Sequence, residues 1–127
     1  METTNKIWVI IVDPFKKEVT RIKLDNDFDL LKKTIDLTTD DLIESVRLFS
    51  YPSTHVLCDE NGRLKDNEKR YVQIGEHVFT GKCMLIGSEG SEFDSCKVKM
   101  TDVMPIIDFK AADYMDTPMA LWIVKND

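Results

Sequence analysis

The chain has 127 residues, 43% of them hydrophobic and 31% charged, with 17 Lys and Arg against 23 Asp and Glu, a formal net charge of −6 at pH 7. That length suits one domain that buries about two-thirds of its unfolded surface without disulfides or metals, and the composition excludes a disordered chain. The negative balance argues against nucleic acid or an anionic lipid surface as partner, since both are recognised by clustered Lys and Arg.

In chain order, Ile7-Trp8-Val9-Ile10-Ile11-Val12 is the longest apolar run, far short of the ~18 residues of a membrane span. Its β-branched residues and the Asp13-Pro14 that closes it predict a central strand, apolar on both faces. Met1 to Lys6 lacks the basic, apolar and cleavage segments of a secretory signal, so a cytoplasmic location without membrane contact is expected. Glu18 to Leu24 alternates and completes a β-hairpin, with Val19, Ile22 and Leu24 all inward only if a bulge lies near Thr20 and Arg21. Asp25-Asn26-Asp27 then caps an amphipathic helix through Phe28, Leu30, Leu31, Ile35 and Leu37.

Leu42 to Phe49 reads as helical continuation or strand, and is divided here with strand at its end. Thr54 to Asp59 is a strand closed by Asp59-Glu60-Asn61-Gly62, where Asn-Gly supplies positive φ angles and Leu64 returns to the core. Tyr71 to Gly75 is a short strand, and Phe79 to Gly87 a buried one with Gly81 and Gly87 marking a bulge or close approach. Cys96 to Met100 alternates as an edge strand guarded by Lys97 and Lys99. Thr101-Asp102 caps a second helix from Val103 to Phe109, with Pro105 in its first turn. The tail after Lys110 carries Met119, Leu121 and Trp122 in an apolar patch that requires cover by the domain, a partner or a second copy. Together these elements predict an α+β fold, a single domain over residues 1–127 with a mostly antiparallel sheet of about five or six strands and two helices packed on it.

The candidate sites are sparse. Cys58, Cys83 and Cys96 form an odd, widely spaced set, read as reduced thiols rather than a disulfide framework. His55 and Cys58 have a His-x-x-Cys spacing, but residues three apart on a strand face opposite ways, which makes them poor co-ligands or catalytic partners. Paired acids such as Asp40-Asp41 and Asp59-Glu60 read as solvated surface. Ile86 to Ser91 lacks the Lys-Ser/Thr ending of a phosphate-binding loop. No cofactor, metal or catalytic residue is nominated. Two features remain: Lys69, Arg70 and Tyr71, with Lys65 nearby, as a basic-aromatic cluster for an anionic small molecule, and Met119, Leu121 and Trp122 as a partner or homo-oligomer contact.

The segment His55 to Asn67, with its Asp59-Glu60-Asn61-Gly62-Arg63-Leu64-Lys65-Asp66-Asn67 turn, followed by the Gly81 to Gly87 strand, resembles a domain of unknown function common in bacteriophages and conjugative elements. The opening strand ending in Asp13-Pro14, with a Glu18-Val19 strand and a helix after it, fits the same pattern. The likeness covers about residues 6 to 109 and leaves 110–127 as an extension. It implies a compact α+β domain from a phage or mobile element, acting in the host cytoplasm. It also implies a non-catalytic accessory protein that binds and inhibits a host defence protein. An alternative is an oligomeric sponge for an anionic nucleotide signal.

Overall fold

The computed structural model describes residues 5–62, 64–65, 68–89 and 92–111. Strands β1 (Lys6–Asp13) and β2 (Glu18–Asp25) form the expected hairpin, in unbroken register from Lys6 opposite Asp25 to Asp13 opposite Glu18. The Asp13 carboxylate accepts from the amides of Phe15 and Lys16 and so shapes the turn. Helix α1 (Phe28–Thr34) starts on Asp27, whose side chain accepts from Leu30 N at 3.2 Å. It stops short of Leu37. Asp36 adopts φ 63°, Asp36 N donates to Lys33 O, and Leu37 N donates to Lys32 O. This pair of bonds is a Schellman closure, and Leu37 reaches the core from beyond the helix rather than from its last turn.

The remaining elements are β3 (Ile43–Arg47), β4 (Thr54–Asp59), β5 (Tyr71–Ile74), β6 (His77–Thr80), β7 (Cys83–Glu89), β8 (Glu92–Asp94), α2 (Met100–Val103), a 3₁₀ turn (Met104–Ile106) and β9 (Ile107–Phe109). One sheet has the order β2-β1-β7-β4-β3 with β8 paired to β7, and a second has the order β6-β5-β9. Every pairing between these strands is antiparallel.

Both faces of the larger sheet are covered, which explains the opening apolar run. On one face Ile7, Val9, Leu57, Met84 and Ile86 meet Leu31, Ile35 and Leu37 from α1 and the turn after it. On the other, Ile10, Val12, Val56, Cys58, Cys83 and Leu85 meet Val72, Ile74 and Phe79 of the second sheet, together with Val103 of α2. The two-residue period sorts alternate side chains into the two cores. No bulge near Thr20 is therefore needed: Val19 packs on the second-sheet side, Ile22 and Leu24 on the α1 side.

Antiparallel sheet predominates as expected, but the strands among the described residues number six plus three rather than about five or six in all, and both helices are short. The expected Phe79–Gly87 strand is divided at Gly81 (φ 84°), placing Phe79 and Leu85 on strands of different sheets. The Leu42–Phe49 strand lies earlier than expected, over Ile43–Arg47, with Leu48 buried just after it. Cys96 to Met100 is not a strand. The helix expected from Val103 to Phe109 begins at Met100 and gives way to a 3₁₀ turn containing Pro105, after which the alternating Ile107-Asp108-Phe109 pairs with β5. Gly62 lacks a positive φ; its position requires space, since a Cβ there would stand 3.3 Å from Thr80 O. Leu64 is 84% exposed and does not return to the core.

Candidate functional site

The basic-aromatic cluster read from the sequence is dispersed by the fold. Tyr71 is buried at the start of β5, opposite Thr80, and its carbonyl accepts from Lys110 N at 3.0 Å. Arg70 pairs with Glu68 at 3.0 Å and lies 5.9 Å from the Phe15 ring centroid. Lys69 Nζ donates to the Lys65 carbonyl. Lys65 itself is clamped between Asp41 at 2.9 Å and Asp59 at 2.6 Å. The Thr38 amide, and then Lys65, hold the Asp41 carboxyl at about 2, and hydrogen bonds to Asp59 and Asp41 raise the Lys65 pKa. A cleft of about 170 Å³ runs past Phe15, Asp36, Lys65, Lys69 and Lys82, where Lys82 also meets carboxylates, Asp36 at 3.1 Å and Asp13 at 3.9 Å. Positive charge in this cleft is largely compensated. Met119, Leu121 and Trp122 lie outside the described residues.

A different set of cations converges elsewhere. Trp8 of β1 stands opposite Lys23 of β2, and the Arg21 guanidinium lies 4.0 Å over its ring centroid with Lys23 Nζ at 5.7 Å. Arg21 and Lys23, two apart on a strand, share the face toward the second sheet with Val19. Facing Arg21, the stretch from Cys96 to Met100 closes a groove of about 470 Å³ lined by Arg21, Cys96, Lys97, Val98, Lys99 and Met100, with Lys23 outside that lining.

The backbone around Ser95 sets that stretch in place. Trp8 N donates to Ser95 Oγ at 3.0 Å and Cys96 N donates to Trp8 O at 2.8 Å. Ser95 crosses Gly87 so closely that any Cβ there would overlap its carbonyl oxygen. Of the four cations only Lys97 has a carboxylate within reach, Asp94 at 4.0 Å; Arg21, Lys23 and Lys99 form no ion pair among the described residues. An exposed cation without a counter-ion costs little in water and is available to a ligand.

From the sequence, Lys97 and Lys99 read as guards of an edge strand and Trp8 as strand interior. The signal that could have flagged the groove is the repeated cation-apolar-cation spacing of Arg21-Ile22-Lys23 and Lys97-Val98-Lys99. Their meeting depends on contacts some 75 positions apart, with Gly87 between them.

His55 bridges two hydroxyls, with Nδ1 3.1 Å from Ser45 Oγ and Nε2 3.0 Å from Ser88 Oγ. Burial, and then the charge of Arg47, lowers its pKa, which favours a neutral ring donating at one nitrogen and accepting at the other. The arrangement has the reach of a serine-histidine pair. The Ser88 amide, however, donates to Ser53 O at 3.1 Å and is not free to hold an oxyanion. Cys58 faces the opposite core, its Sγ 3.8 Å from Glu44 O, and burial, with Cys58 nearby, pushes the Cys83 thiol well up. These thiols have the surroundings of unreactive core groups.

No family model matches the chain, and neither does any curated protein or solved structure in the comparisons made.

Proposed function

We propose that this chain is a non-catalytic binding protein, a phage or mobile-element accessory that inhibits a host defence protein by direct contact through the groove between β2 and the 96–100 segment. One observation carries the reading: in a chain of net charge −6, Arg21 and Lys23 converge on the Trp8 ring and Arg21 and Lys99 line one groove, and none of the three has a carboxylate partner among the described residues. Lys16, Lys17, Lys33 and Arg47 form no ion pair there either but are not gathered at a ring, and Lys65, Arg70 and Lys82 are each paired. Unpaired cations beside an aromatic ring suit an interface, where Trp and Arg are over-represented among residues that dominate binding. The groove thus takes the role that the sequence alone gives to the apolar tail. The alternative, an oligomeric sponge for an anionic nucleotide held by Lys69, Arg70 and Tyr71, has less support, because Arg70 is paired and Tyr71 is buried.

The test is capture from host lysate on the immobilised full-length protein, beside the double variant Arg21→Glu/Lys23→Glu. A host protein retained by the parent and lost with the variant, and whose activity the parent inhibits, is the expected result. Equal retention by both proteins removes the groove from the reading, and retention without inhibition removes the inhibitor.

A further inference from the structure

We infer that the partner presents an acidic, extended polypeptide segment that adds as a strand to the outer edge of β2, beside the cations at the groove, a proposal that rests on the binding reading above and specifies its partner. Strand β2 is eight residues long and stands at the end of the larger sheet. From Glu18 to Leu24 its outward backbone N–H and C=O groups meet no partner among the described residues. Such a row of donors and acceptors pairs readily with another strand unless side chains select against it.

The side chains here select by charge. Arg21 and Lys23 point to one side of the sheet about 7 Å apart, the repeat of alternate residues on any strand. An incoming strand with Asp or Glu at every second position sets one carboxylate beside Arg21 and the next beside Lys23. An apolar strand leaves these cations unsatisfied. In the antiparallel registers that overlap two copies of β2 most fully with faces matched, Arg21 meets Arg21 or Lys23, so the same residues that admit an acidic strand oppose that self-pairing.

Nucleic acid fits less well. Single strands are held by stacking bases on open aromatic faces, and the Trp8 ring already carries Arg21 and Lys23. A net charge of −6 also opposes a long polyanion once it extends beyond the groove.

Trp8 supplies the readout. The chain has two tryptophans, Trp8 and Trp122, so Trp122→Phe leaves Trp8 as the sole indole. The probe is the blocked decapeptide (Glu-Thr)5, titrated into the full-length Trp122→Phe protein with Trp8 emission and calorimetry followed together. Controls are the same peptide with alternate amides N-methylated, (Lys-Thr)5 and the oligonucleotide dT10.

Saturable binding of (Glu-Thr)5 is expected, weakened about tenfold or more by Arg21→Glu/Lys23→Glu through loss and reversal of two charge contacts. N-methylation, which keeps the charge but removes strand pairing, should weaken it to a similar degree. Equal binding of the methylated peptide or of dT10 would show an anion site without strand addition and overturn the proposal. Failure of (Glu-Thr)5 to bind would overturn it as well, while groove-dependent capture of a host protein from lysate would still leave the binding reading standing.

Discussion

Replacing Gly87 by alanine is expected to cost about 3 kcal/mol of stability and to open the binding groove at the same time. The added methyl would overlap the Ser95 carbonyl oxygen, 3.0 Å from the Ser95 carbonyl carbon and 3.2 Å from Asp94 O. All three atoms are backbone, so relief requires the chain at 94–95 to move rather than a side chain to rotate. Moving it strains or breaks Cys96 N to Trp8 O and Trp8 N to Ser95 Oγ. Two lost hydrogen bonds contribute about 1 kcal/mol each, and overpacking, relieved in part by the shift of the 94–95 backbone, adds about 1 kcal/mol, the low end of its usual range.

For a chain of this size about 3 kcal/mol lowers Tm by roughly 10 °C, measurable by circular dichroism melting and by urea titration. Gly81→Ala is the control. Gly81 sits at φ 84° with nothing within 4 Å of an added Cβ, so only the left-handed backbone is penalised, at about 1–2 kcal/mol. If Gly87→Ala melts within a degree or two of the parent, the close crossing of Ser95 over β7 is not as described, and the placement of Lys97 and Lys99 against Arg21 falls with it.

Leu31→Ala, which empties the middle of the core beneath α1, should cost about 3 kcal/mol by urea unfolding with an unchanged slope. His55 has a folded pKa below 6.5, so the unfolded chain takes the proton first; stability should be full above that value, fall as pH drops below it, and depend less on pH in His55→Gln, as read from urea midpoints at successive pH values. Asp41, held at about 2 against an ordinary 3.8, contributes stability that is present above pH 3.8 and lost as pH falls toward 2; Asp41→Asn should flatten the acid limb of the stability curve between those values.

The first hairpin is legible in the sequence because a β-branched run, Asp13-Pro14 and a second alternating segment all encode the same local geometry. Likewise Thr54–Asp59 and the strand that Gly75 closes follow from length and punctuation. The misleading step is the assumption of a single core. Val19, Ile22 and Leu24 demand a bulge if all must face one way, but no bulge if each face has its own apolar cover, and that cover comes from residues 31–37 and 72–79, which the hairpin's own sequence does not contain. Phe79 to Gly87 looks continuous because each half is apolar enough for a strand; only the left-handed turn at Gly81 assigns the halves to different sheets. At the other end, Pro105 is compatible with a helix start, yet the β-branched and aromatic residues after it satisfy their backbone groups better against β5.

The site is less legible than the fold for a reason rooted in how charge is counted. Setting 17 cations against 23 anions treats every charge as equal, whereas recognition depends on which charges are left over after the chain has folded. Here the acids fall beside Lys65, Arg70, Lys82 and Lys110 and neutralise them. Among the described residues, the surplus acids do not reach Arg21, Lys23 or Lys99. At physiological ionic strength the field of a charge decays over about 8 Å, so the net charge of the whole molecule is a weak guide to what a ligand meets inside one groove. Lys69, Arg70 and Tyr71 are adjacent in sequence and dispersed by the fold; Trp8, Arg21, Lys23 and Lys99 are scattered in sequence and assembled by it. A cluster read from neighbouring residues is therefore weaker grounds for a site than unpaired cations that the fold gathers at one ring and one groove.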